Sequence, residues 1–186
     1  VEGAEGIESN LLATALVITD NNNKIAILDC DLIGFDLPLA KEIRQKIGQA
    51  IGTKLTNVLL GATHTHNGPC TGRNGLGGSH DVPVRDGEIE ALDTYIENLV
   101  RQLVGVTVIA NSDLQPVRVG AGSDEANVAI NREEIDPEDS SILVGRNPDG
   151  ITDRSVDVLR IDTIDGVPLA VIVGYAAHPV VMGYFQ

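Results

Sequence analysis

The chain opens on two apolar runs separated by a polar turn. Leu11 to Thr19 is apolar and rich in β-branched residues, Asp20-Asn21-Asn22-Asn23 is a strong turn signal, and Lys24 to Cys30 is apolar again. This pattern predicts an antiparallel hairpin. The period then changes. From Pro38 to Ile51, the residues Ile43, Ile47, Ala50 and Ile51 recur at i, i+4, i+7 and i+8, the apolar stripe of a helix. Lys41, Arg44, Gln45 and Lys46 fall on its watery side, and Gly52 suits its stop. Thr56 to Gly61 predicts a strand, built on Val58-Leu59-Leu60. A second helix is predicted within Gly87 to Ile109. Its apolar face is Ile89, Leu92, Ile96, Leu99, Val100 and Leu103, with Glu88, Glu90, Asp93 and Glu97 on the rest of its surface. Its end falls somewhere in Val104 to Ala110.

Further along, Leu114 to Gly122 predicts a strand with Pro116 near its edge, followed by a polar stretch from Asp124 to Asp139. Asn147-Pro148-Asp149-Gly150 and Asp165-Gly166 are turns, Val156 to Ile161 is a strand, and Leu169 to Gly174 is an apolar strand that leads to Ala176-Ala177-His178-Pro179. Hairpin, helix and strand in that order predict an α/β fold, a mixed β-sheet with packed helices. The 186 residues suffice for one ordinary globular domain.

Composition narrows the function classes. Hydrophobic residues make up 42 %, which argues against disorder, and the net charge of −14 argues against nucleic-acid binding and against an anionic membrane surface. Trp is absent and Phe and Tyr are scarce, so an aromatic platform for bases or sugars is not expected. No apolar run reaches the length of a membrane span. Cys30 and Cys70 could pair or stay as separate thiols. Val1 is not an initiator methionine, which leaves room for a processed start and a removed signal peptide, and so for a secreted or periplasmic location.

The candidate chemistry gathers where strands end. Gly61-Ala62-Thr63-His64-Thr65-His66-Asn67-Gly68-Pro69 places two of the four histidines two positions apart, on one face if strand geometry continues. Neutral imidazole binds borderline metals and moves protons near neutral pH. Two hydrogen-bonded histidines beside a turn would carry the same pattern. Asp29 and Asp31 end the second strand and could hold a metal, a histidine or a turn. Cys70 to Asp86 contains Gly72, Gly75, Gly77 and Gly78, with His80 and Pro83, and could wall or cover a pocket. It lacks the Gly-Lys-Ser/Thr ending of a phosphate-binding loop. His80 is either a third ligand or a loop histidine. Arg132 could hold an oxyanion or carboxylate through its fork of donors, or pair with Glu133, Glu134 or Asp136 on the surface. His178 ends a second strand, with Pro179 favouring an extended backbone before it.

Four elements together resemble the neutral/alkaline non-lysosomal ceramidase family, in the N-terminal part of its catalytic domain. Thr63-His64-Thr65-His66-Asn67-Gly68-Pro69 is similar to the family's Thr-His-Thr-His-Ser-Gly-Pro signature, with Asn67 replacing the serine. The others are Asn131-Arg132, then Asn147-Pro148-Asp149-Gly150 with Val156-Asp157-Val158-Leu159-Arg160, and Ala176-Ala177-His178-Pro179. Their order and approximate spacing agree with the family over most of the chain.

The resemblance implies a zinc-dependent hydrolase of a non-peptide amide, an N-acyl or ceramide-like substrate. It implies His64 and His178 as metal ligands, His66 as a residue facing the scissile group and Arg132 as part of the polar reaction pocket. His80 has no counterpart. The family's remaining zinc ligands, a glutamate and a tyrosine, lie beyond Gln186. The resemblance therefore implies that residues 1–186 are the N-terminal portion of a zinc hydrolase domain, with no complete second domain. The rest would come from a C-terminal catalytic segment or partner polypeptide, as a continuation, a product of internal cleavage or a separate subunit of a heteromer. A noncatalytic structural or ligand-binding subunit with the same fold is the alternative expectation.

Overall fold

The computed structural model describes residues 6–20, 22–72 and 87–178. The glycine-rich stretch from residue 73 to 86, His80 with it, lies outside the described residues, as does Pro179. The chain divides into two compact units, Val1–Leu114 and Gln115–Gln186.

The described residues of the first unit form a mixed three-stranded sheet with two α-helices. Strands β1 (Ala13–Thr19) and β2 (Lys24–Cys30) form the predicted hairpin, with Ala13 opposite Cys30 and Thr19 opposite Lys24. Its turn is fastened by Asp20, whose Oδ1 accepts the amides of Asn22 and Asn23. Helix α1 (Leu37–Ile51) then crosses back, so that β3 (Val58–Ala62) pairs with β2 in parallel, Ala26 to Val58 and Cys30 to Ala62. A parallel neighbour needs such a crossover, because a tight turn can only reverse the chain. A 3-10 turn, Leu55–Asn57, occupies the start of the expected strand and delays β3 by two residues. The amide of Val58 closes it on the Leu55 carbonyl, while the Asn57 side chain donates to the Lys24 carbonyl.

Helix α1 has local signals at both ends. Asp36 accepts the Leu39 amide at 2.8 Å as N-cap, and Gly52 closes the helix at φ 71° in the left-handed region where glycine carries no Cβ penalty. Helix α2 (Glu88–Ser112) runs through the whole expected segment to Ser112. The apolar stripes of both helices meet the sheet in one core. It contains Val17, Ala26, Leu28, Cys30 and Val58 from the strands, Ile43 and Ile47 from α1, and Leu99, Val100 and Leu103 from α2. Strand alternation explains the strand set, since Ala26, Leu28 and Cys30 share one face of β2.

Among its described residues, the second unit is all β. Strands β4 (Val117–Glu125), β7 (Ser155–Thr163) and β8 (Pro168–Tyr175) form an antiparallel sheet with β7 in the middle. Strand β4 starts after Pro116, which has no amide to give to a ladder. Strands β5 (Asn131–Ile135) and β6 (Ile142–Asn147) make a separate two-stranded ribbon. The sequence pattern does not predict this ribbon, because Asn-Arg-Glu-Glu-Ile shows no apolar alternation. Its turn is set by backbone bonds, with Asp136 and Ser141 joined at 2.9 Å and Ser140 at φ 62°.

Candidate functional site

In the first unit, the end of β3 carries the histidine pair. The Thr63 amide donates to the Cys30 carbonyl at 2.9 Å, extending the β2–β3 pairing by one residue. The backbone then turns sharply, and His64 takes φ 62°. A non-glycine residue in this region is uncommon, although histidine tolerates it better than most. The same-face expectation for His64 and His66 therefore fails as a strand argument, because β3 has ended at Ala62. The two rings meet instead edge to face, with centroids 4.9 Å apart and planes at 86°. Their nearest ligating nitrogens lie within 4.8 Å of each other.

His64 is the more tightly oriented of the pair. Its Nδ1 stands 2.7 Å from the Ile33 carbonyl oxygen. A carbonyl can only accept, so Nδ1 carries the proton and the lone pair of the neutral ring is on Nε2. Such a backbone-anchored imidazole has the donor chemistry of a metal ligand. Asp31 is taken up structurally: its Oδ2 accepts the Leu12 amide at 2.9 Å. Cys30 and Cys70 are separate thiols. Burial, aided by the charges of Asp29 and Asp31, pushes the Cys30 thiol up to about 12, so it remains protonated at neutral pH.

In the second unit, Arg132 and His178 come together. Arg132 Nη1 lies 3.2 Å from His178 Nδ1. Arg132 thus makes a contact beyond its own strand, whereas the residues alone favour a local surface ion pair with Glu133, Glu134 or Asp136. The β5–β6 register shifts between Asn131 and Glu133, so Arg132 sits in the irregularity. A bulge re-aims the side chain it carries and is common beside functional sites. Asn131 fastens the bulge: its Oδ1 accepts the Glu133 amide, and its Nδ2 donates to the Ile151 carbonyl. Gly150 makes room for Asn131, since a Cβ at position 150 would stand 2.6 Å from the Asn131 Cβ. The Asn-Pro-Asp-Gly turn and the Asn-Arg pair are therefore parts of one construction.

Tyr175 is a positioning residue that the sequence pattern does not single out. At the end of β8, its hydroxyl accepts the amides of Val128 and Ala129 at 3.1 and 2.8 Å and donates to the Ala126 carbonyl at 3.1 Å. It holds the segment leading into β5 and Arg132 against the strand that leads to His178. A lone tyrosine at a strand end was the sole clue.

Among the described residues, no helix is long and apolar enough to cross a membrane. No family model matches the chain. A curated relative, neutral ceramidase B of Dictyostelium discoideum, is 29 % identical over 186 positions, taking in 93 % of this chain and 24 % of the relative. The solved neutral ceramidase from Pseudomonas aeruginosa superimposes with a TM-score of 0.59 at 20 % identity, over 90 % of this chain and 26 % of that one. A second solved structure, a ceramidase complexed with C2, gives 0.58 at 20 % identity, over 88 % and 25 %. The chain spans about a quarter of the length of these relatives. Nearly all of this chain matching a fraction of each relative fits an N-terminal part of the neutral ceramidase family.

Proposed function

We propose that this chain supplies part of the active site of a zinc-dependent hydrolase acting on a non-peptide amide of the N-acyl or ceramide-like class. The observation that carries the reading is the His64 ring, whose Nδ1–H donates to the Ile33 carbonyl at 2.7 Å and so presents Nε2 as the ligating nitrogen. The ceramidase relatives support the substrate class. In this reading His64 and His178 are zinc ligands, and the rest of the ligand set comes from a C-terminal catalytic segment or a partner polypeptide.

Zinc, when bound, acidifies water and polarises a carbonyl. The chain's own residues supply orientation and charge. His64, anchored through Ile33, fixes one ligand direction in advance. His66, edge-on to His64, faces the scissile amide and can exchange a proton with it. Arg132 brings a permanent positive charge, which suits it to the negative charge that develops on the amide oxygen.

The test is hydrolysis of a panel of N-acyl amides, ceramide included, by the intact protein before and after metal removal. The reading predicts loss of turnover on chelation and its return with zinc. Undiminished hydrolysis after complete metal removal would contradict it, and metal-dependent binding without turnover would favour a ligand-binding subunit.

A further inference from the structure

The loop that carries His64 and His66 is laid along the segment that leaves β2. At its start, the Thr63 amide donates to the Cys30 carbonyl at 2.9 Å, and His64 Nδ1 stands 2.7 Å from the Ile33 carbonyl oxygen. Further on, a Cβ on Gly68 would come within 3.4 Å of the Asp31 carbonyl oxygen, so the two backbones run close together there. The Thr71 hydroxyl then donates to the Gly34 carbonyl at 2.5 Å. Thr71 is 1 % exposed, and a buried hydroxyl is costly unless it is bonded. Neighbouring carbonyls thus hold the two ends of the loop, Ile33 against His64 and Gly34 against Thr71. Gly34 has no side chain, and among the described residues nothing lies within 4 Å of where its Cβ would be. Side-chain packing at position 34 therefore does not fix this peptide, and glycine leaves its backbone free to swing. The Thr71 bond restrains it instead.

We infer that Thr71 is a positioning residue for the histidine pair: its hydroxyl holds the Ile33–Gly34 carbonyls in place, and through them the direction of His64 and of the His66 ring set against it. This rests on the reading of His64 as a zinc ligand. A ligand whose supporting carbonyl can swing has to be ordered when the ion arrives, and that ordering weakens binding. The role requires the hydroxyl of Thr71 and not its methyl group.

The experiment compares Thr71→Ser, Thr71→Ala and Thr71→Val with wild type and His64→Ala, each as the intact protein. T71S and T71A both lose the buried methyl and differ in the hydroxyl alone, while T71V keeps the shape without the hydroxyl. Thermal unfolding verifies each fold, and calorimetry with a competing chelator gives zinc affinity. Nuclear Overhauser contacts between the His64 and His66 rings report their arrangement directly. The expected result is zinc binding about tenfold weaker in T71A and T71V, as loss of an outer support to a metal-ligating histidine entails, with T71S within about twofold of wild type. The ring contacts should persist in T71S and weaken in T71A and T71V. Equal zinc affinity in T71S and T71A overturns the inference, since a merely structural Thr71 would show itself in stability alone. If T71A and T71V fail to fold, a tenfold loss of zinc affinity in T71S overturns it, and wild-type affinity there supports it. If H64A binds zinc as well as wild type does, the ligand reading fails and takes the inference with it. Loss of zinc in H64A with wild-type affinity in T71A defeats the positioning role alone.

Discussion

The Nδ1–H of His64 donates to the carbonyl of Ile33 across 2.7 Å, joining the turn after β3 to the segment after β2. Because β2 and β3 are parallel neighbours, their C-terminal ends lie side by side. That topology brings a carbonyl 31 residues away within reach of the ring. Replacing Ile33 would leave its carbonyl in place, so the anchor is written into the backbone.

Gly150 tests whether the turn positions Arg132. In Gly150→Ala the new Cβ would press on Asn131, which fastens the bulge carrying Arg132. We expect the fold to survive and amide turnover to fall about tenfold, as misplacement of a charge-stabilising group entails. Steady-state kinetics beside a circular-dichroism spectrum checks this. Unchanged kinetics would separate the turn from the site.

Tyr175→Phe removes one acceptor and one donor from the segment before β5. The expected loss is about 1–2 kcal/mol of stability, from amides and a carbonyl left to find other partners. Denaturant unfolding measures it, and hydrogen exchange at Val128 and Ala129 should quicken selectively.

Two glycines in helices should respond in opposite directions. In α1, a Cβ on Gly48 would stand 2.8 Å from the Thr53 carbonyl oxygen, so Gly48→Ala is expected to cost about 1–3 kcal/mol. In α2, Gly105 has nothing within 4 Å of that position, so Gly105→Ala is expected to stabilise by about 0.5–1 kcal/mol through helix propensity. Thermal unfolding of the two variants compares them directly.

Cys30 gives a pH signature. Its thiol is buried, and its pKa is raised from 9.0 to about 12. The unfolded chain therefore loses this proton first as pH rises. Its contribution to stability is fully present below about pH 9 and is lost as pH climbs towards about 12. Native protein should resist alkylation at Cys30 near pH 8, with denaturant restoring reactivity. Rapid native labelling at Cys30 would contradict the burial.

The elements legible in the sequence are those whose apolar periodicity reflects burial. The β1–β2 hairpin shows its Asp-Asn-Asn-Asn turn, and α1 shows its stripe together with Asp36 and Gly52 at its ends. The β5–β6 ribbon was not legible, because its residues are mostly exposed and backbone bonds at the turn define it. For the candidate site, the spacing marked His64 and His66 but assumed a strand that had already ended. The Arg132–His178 contact joins residues 46 apart through a bulge, a feature that residue types alone do not encode. Tyr175 acts through its hydroxyl on backbone groups, which leaves no pattern in side-chain sequence.

In the proposed function, His64 and His178 are zinc ligands while His66 serves the reaction. Zinc content per molecule of the intact protein, measured for wild type, His64→Ala, His178→Ala and His66→Ala with folding verified for each, tests it most directly. The expected result is stoichiometric zinc in wild type and H66A, with turnover lost in H66A, and zinc lost from both H64A and H178A. Full zinc retained in H64A and H178A would contradict it.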